Sequence, residues 1–134
     1  MGYFWDDRIM KKIAISGFFL LILSGCAAKE DPSLVAAANA PLVCEGKSQC
    51  DLYWQKAQAW LATHSAWKIQ TANDTIINTY NPAPNAATLG YQLVKNPMGG
   101  DRYEIIVQTS CGNMFGCIPS ATQQTAALKS YVKS

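Results

Sequence analysis

The sequence predicts an α+β domain. The expected architecture is a two-layer sandwich in which an N-terminal and a C-terminal helix cover one face of a four-stranded antiparallel meander, in the order α-β-β-β-β-α. Three observations lead there. Apolar residues recur at intervals of three and four between Cys50 and His64. From Trp67 to Thr109 the period changes to two, broken by Asn73-Asp74, by Asn81-Pro82-Ala83-Pro84-Asn85 and by Asn96-Pro97-Met98-Gly99-Gly100-Asp101. After Pro119 a helical period returns. Turns this short join neighbouring antiparallel strands, and one face of such a sheet has to be covered.

The first helix is expected over Asp51 to Ser65. Cys50, Trp54, Ala57, Leu61 and His64 form its stripe, Tyr53 and Trp60 widen it, and Ser48 or Asp51 is placed to cap its free N–H groups. Strands follow over Trp67 to Thr71, Thr75 to Tyr80, Leu89 to Val94 and Tyr103 to Thr109. Trp67, Ile69, Tyr91, Leu93, Ile105 and Val107 are assigned to the covered face, and Lys68, Gln70, Gln92, Glu104 and Gln108 to the open, wet one. Ser120 caps the second helix with Gln123 in the capping-box position. Ala121, Thr125, Leu128 and Val132 make its apolar side, and Tyr131 flanks it.

The chain of 134 residues holds one domain, since domains commonly run to about 100–150 residues. A hydrophobic share of 49% with 15% charge excludes a disordered chain, and a net charge of +2 is too small for a nucleic-acid binder. Five cysteines, an odd number, have to be divided between different roles.

Met10-Lys11-Lys12, an uncharged run from Ile13 to Leu23 and then Ser24-Gly25 before Cys26 make a secretory leader, with an apolar core too short to span a bilayer. Asp6, Asp7 and the aromatics within residues 1 to 9 do not suit its basic start, so Met10 is the expected first residue. Leu23-Ser24-Gly25-Cys26 resembles the lipobox of bacterial lipoproteins position by position. The resemblance implies cleavage before Cys26, diacylglycerol on its thiol and a palmitate-type acyl chain on the new amino terminus. It further implies a lipid anchor in the outer membrane, the domain facing the periplasm, because Ala27 rather than Asp follows the lipidated residue. Cleavage removes Asp6, Asp7, Arg8, Lys11 and Lys12, which brings the net charge to +1. Residues 26–41 are then expected to be the lipidated cysteine and a flexible tether without apolar period, and residues 42–134 the periplasmic domain.

Cys44, Cys50, Cys111 and Cys117 remain, an even number in an oxidising compartment, and two disulfides are expected. Three connectivities are open. Closing a 7-residue loop is worth about 2.4 kcal/mol in the chain-entropy treatment and closing 74 residues about 4.4 kcal/mol, which favours crossing. Glycines inside both Cys-x5-Cys segments favour the local pairs, 44–50 and 111–117. Zinc pairs usually leave two to four residues between cysteines, so no metal and no cofactor is expected.

The sequence contains no nucleophile elbow, no His-Glu-x-x-His and no phosphate loop, and names no catalytic residue. His64, the only histidine, suits a helix C-terminus electrostatically. Asp74, Asp101 and Glu104 lie in or beside turns, where solvated carboxylates are ordinary. Met114 and Phe115 place two large apolar side chains in a loop bounded by cysteines, which is either a preorganised binding element or a loop whose Phe115 folds back over the core under the second helix, and Tyr80 is the best exposed aromatic candidate. Beyond the lipobox, the folded part resembles small, mostly uncharacterised cysteine-containing periplasmic lipoproteins of Gram-negative bacteria, in its tether, its Cys pair before a Trp-rich helix and its Cys-x5-Cys after the last strand. The expected function is a non-enzymatic binding or envelope-assembly module whose partners are the membrane, through the lipid, and an envelope protein or peptidoglycan. The alternatives are a peptidoglycan-binding or hydrolytic module using Asp74, Asp101, Glu104 or His64, and an inhibitor of an envelope-directed enzyme.

Overall fold

Residues 29–134 are described by the computed structural model. The leader, the lipobox with Cys26, and Ala27 lie outside the described residues. The first element is a helix where a flexible tether was expected: α1, Pro32–Asn39. Its signals are local. The Asp31 side chain accepts from Ser33 N–H at 2.8 Å, Pro32 fills the first helical position, where its missing N–H costs nothing, and three of the eight residues are Ala. The Ser33 hydroxyl also donates to that carboxylate, and these bonds hold Asp31 below the usual carboxylate range.

A short strand, β1 (Val43–Glu45), follows and then α2 (Lys47–His64). The helix starts four residues earlier than expected, and neither Ser48 nor Asp51 caps it. Gly46 is the N-cap, with a positive φ of 78° that other residues rarely adopt, and the Gln49 side chain reaches back to accept from Glu45 N–H at 2.7 Å. The disulfide Cys44–Cys50 joins the two elements across this sharp turn.

The remaining strands are β2 (Ile69–Ala72), β3 (Ile76–Thr79), β4 (Gly90–Gly99) and β5 (Arg102–Ser110), and the last helix is α3 (Ala121–Lys133). The class is α+β. The expected meander of four strands is present as β2 to β5, but the sheet has five strands in the order β1-β5-β4-β3-β2, all antiparallel. The extra strand is too short to show a period of its own. The Asn73 carboxamide accepts from the backbone N–H groups of Thr75 and Ile76, which turns β2 into β3. Ser120 caps α3 as expected, accepting from Gln123 N–H at 3.1 Å.

The core lies between α2 and α3 and one sheet face. Leu42, Trp54, Ala57, Trp60 and Leu61 meet Ile77, Leu89, Tyr91, Leu93, Ile105, Leu128 and Val132. Burial pushes the Tyr91 phenol up to about 12. The face assignment holds fully for Tyr91, Leu93 and Ile105, while Ile69 and Val107 are only half-buried, and Trp67, also half-buried, lies in the bend before β2 rather than in the strand expected to start there. His64 does not belong to the buried stripe. It is exposed, and Trp60 fills the core instead.

Helix α1 packs along α3, running in the same direction. Thr122 at the start of α3 donates its hydroxyl to the Glu30 carboxylate at 2.8 Å, and Lys129 further along donates to the carbonyls of Ala38 and Ala40 at 2.5 and 2.7 Å. Burial pushes the Lys129 ammonium down. No helix of the described residues is long and apolar enough to cross a membrane.

Candidate functional site

The open sheet face is built by register. Ile77 and Thr79 point into the core, so Ile76 and Asn78 point outward, and the pairs Asn78↔Gln92 and Gln92↔Gln108 carry a row of amides across three strands. Gln70 on β2 extends the row, its carbonyl accepting from the Asn78 amide at 3.2 Å. Beside it Ile76↔Val94 and Val94↔Ile106 make a row of aliphatic side chains, Ile106 being 37% exposed. Charges gather at the β1 corner, where Arg102 pairs with Glu45 at 3.3 Å and Glu104 is half-buried.

Where β3 ends and β4 begins, a cleft of about 210 Å³ opens against this face. Asn78, Gln92, Gln108 and Ser110 line it, and Tyr80, half exposed, stands at its edge. Gly90 forms its floor: a Cβ there would approach Pro82 to 2.7 Å. All of the lining groups are uncharged.

The loop after β5 is closed by the disulfide Cys111–Cys117, and the local pairing is the one expected from its glycines. It is fastened to the preceding segment by Asn85 N–H to Gly112 O at 3.1 Å and Ile118 N–H to Ala87 O at 2.9 Å. Gly112 is required by closeness, since a Cβ would fall 2.3 Å from the Ala83 carbonyl oxygen. Inside the loop, Asn113 accepts from Phe115 N–H at 2.8 Å. The loop is therefore a fixed projection, and it does not fold back on the core: Met114 is 85% and Phe115 92% exposed. Ile118, just outside the disulfide, is 75% exposed, a third apolar member that the sequence pattern does not single out.

Comparison of the chain with protein-family models, with curated proteins and with solved structures finds no match.

At the opposite end of the sheet, Asp74 and Asp101 face a shared cleft of about 610 Å³ with Asp51, Lys47, Lys95 and Tyr103. Lys47 binds Asp51 at 2.5 Å, which raises the ammonium and lowers the carboxylate from their ordinary values. Lys95 lies 5.2 Å from the Trp54 ring and 5.8 Å from that of Tyr103. The structure thus brings Asp74 and Asp101 together but leaves Glu104 on the other face and His64 at the far end of α2. The His64 ring stacks on Trp60 and its Nδ1 contacts Thr63 Oγ1 and Trp60 O, so no carboxylate among the described residues orients it. Among the described residues no group of three His, Cys, Asp or Glu side chains is arranged to hold a metal.

Alternation alone places Gln70, Gln92 and Gln108 on the open face. Their alignment with Asn78 into one row depends on strand register, which the sequence does not display. Every residue of the row is an amide, and that repetition is the available signal.

Proposed function

We propose that the protein is an outer-membrane-anchored lipoprotein whose disulfide-bonded domain is a non-enzymatic binding module for an envelope protein, which lies across the open sheet face. The observation that carries this reading is the row Gln70, Asn78, Gln92 and Gln108 beside the row Ile76, Val94 and Ile106. Wet sheet faces commonly carry charged side chains. A surface of neutral amides and aliphatics loses less on desolvation, and its amides both donate and accept, which suits a partner presenting backbone or side-chain polar groups.

The test is site-specific photocrosslinking in intact envelopes. A crosslinker at Gln92 is expected to capture a protein that one at Lys56, on the helical side, does not, and the product is expected to disappear with Gln108→Glu and Ile106→Glu. Identical products from both positions, insensitive to those substitutions, would overturn the reading. Cys26→Ser is expected to release the protein from the membrane fraction.

A second reading, binding to peptidoglycan, is favoured by Tyr80 beside the amide-lined cleft, since a sugar ring stacks on an exposed aromatic while amides bond its hydroxyls. Binding to purified sacculi that is lost on Tyr80→Ala would replace the protein partner with this one.

A further inference from the structure

The exposed apolar loop and the point where the chain reaches the domain are at the same end of the molecule. Glu30 is bonded to Thr122, in the first turn of α3, and α3 begins immediately after Ile118, Pro119 and Ser120. Cys26 is four residues before Glu30, and four residues of fully extended chain span no more than about 14 Å. A lipid on Cys26 therefore holds this end of the domain, and not the Lys47–Asp101 end, against the bilayer.

The same end is free of charge over long stretches. No Asp, Glu, Lys or Arg stands between Tyr80 and Val94 or between Ile105 and Leu128. Lys29 and Glu30 come to this end with the chain, and from the uncharged stretches beside them Met114, Phe115 and Ile118 project, none of them covered by the domain. The Cys111–Cys117 bond and the Asn85 and Ile118 backbone bonds fix the loop before it meets anything, so little conformational entropy is lost when its side chains are buried.

We propose that Met114, Phe115 and Ile118 enter the interfacial layer of the bilayer that holds the Cys26 lipid. The domain then rests on the membrane through two contacts, the lipid, whose several acyl chains anchor it, and an apolar loop, which adds buried apolar area and fixes the orientation. This rests on the lipobox reading, and it deepens it: the domain is held close to the membrane in one orientation, with the open sheet face standing beside it.

The test uses the lipidated full chain purified from membranes and returned to vesicles of phosphatidylethanolamine and phosphatidylglycerol. In a Phe115→Trp variant, the fluorescence added over wild type is expected to be quenched at least about twofold by phospholipid brominated in its acyl chains, and to be shielded from iodide in water. Paired Met114→Ser and Phe115→Ser substitutions are expected to speed transfer between vesicles by about tenfold or more while leaving the thermal midpoint unchanged. Mass measurement of Cys26 separates the two readings. Lipid on Cys26, with the introduced indole open to iodide, overturns the loop contact and leaves the anchor standing. No lipid on Cys26, with the introduced indole still quenched by brominated lipid, sustains the loop contact and removes the anchor. Shielding from both quenchers means that the domain itself or a second copy of the chain covers the loop, and it overturns the proposal.

Discussion

Thr79 Oγ1 accepts a hydrogen bond from Tyr91 N–H at 3.0 Å, and donates to the Tyr80 carbonyl at 3.1 Å. Among the described residues Thr79 is the buried polar side chain of the core, and it stands where the β3–β4 ladder ends. One hydroxyl thus satisfies the buried amide of Tyr91 while fixing the peptide that turns Tyr80 outward to the edge of the cleft. Thr79→Val keeps the shape and leaves that N–H unpaired. Its expected cost is about 1–3 kcal/mol, and Thr79→Ser is expected to recover most of it. Thermal unfolding of the three proteins checks this, and equal midpoints for Val and Thr would contradict it.

The Cys111–Cys117 bond closes a 7-residue loop, and replacing both cysteines by Ser is expected to remove about 2.4 kcal/mol of stability by freeing the unfolded chain. The effect on the loop itself is expected to be larger than on the sheet. Amide exchange should accelerate at Asn113 to Gly116 while Tyr91 and Leu93 stay protected. Uniform acceleration across the domain would mean that the bond supports the core rather than the loop.

Long periods are legible in the sequence and short elements are not. Helix α2, strands β4 and β5 and helix α3 each repeat their pattern enough times to declare their type, and the capping of α3 by Ser120 can be read from Ser120-x-x-Gln123. Strand β1 spans three residues and exists because Leu42 O accepts from Ile105 N–H and because Cys44 is tied to Cys50, both of which are contacts that sequence order does not display. Helix α1 escapes a sequence reading for a different reason. Its Asp31-Pro32 start is a helix signal, but its alanines give no stripe, and its stability comes from packing on α3 and from Lys129. The exposure of Phe115 depends on the attachment of Gly112 and Ile118 to the segment 83–87, a tertiary relation without which loop projection and core packing are indistinguishable.

Asp31 gives α1 a pH dependence. Its carboxylate is held below the ordinary range by the Ser33 side chain and backbone N–H, so its contribution to folding is present above the unfolded value and is lost as pH falls through the lowered folded one. On acidification, exchange at Val35 to Ala38 is expected to rise before the sheet responds. Asp31→Asn keeps a capping oxygen that does not titrate and is expected to remove the pH step, whereas Asp31→Ala is expected to fray the helix at every pH. A wild-type profile identical to that of Asp31→Asn would show that the cap carries no linkage.

His64 separates a structural from a chemical role for the only imidazole. Its ring lies 4.6 Å from the Trp60 ring at 4°, on an indole that is itself buried, and it faces no carboxylate among the described residues. Stacking of this kind adds about 0.5–1.5 kcal/mol, so His64→Ala is expected to lower stability by about that amount and His64→Phe to restore it. Neither substitution is expected to change crosslinking from Gln92 or quenching at residue 115, because the ring is held against α2 by Trp60 and, although it lines a small cleft with Ile118 and Pro119, it lies outside the 111–117 loop and off the open sheet face. If His64→Phe keeps the thermal midpoint but abolishes either readout, the imidazole nitrogens rather than the aromatic plane are what the protein uses, and a hydrolytic or proton-transfer role for His64 would have to be restored.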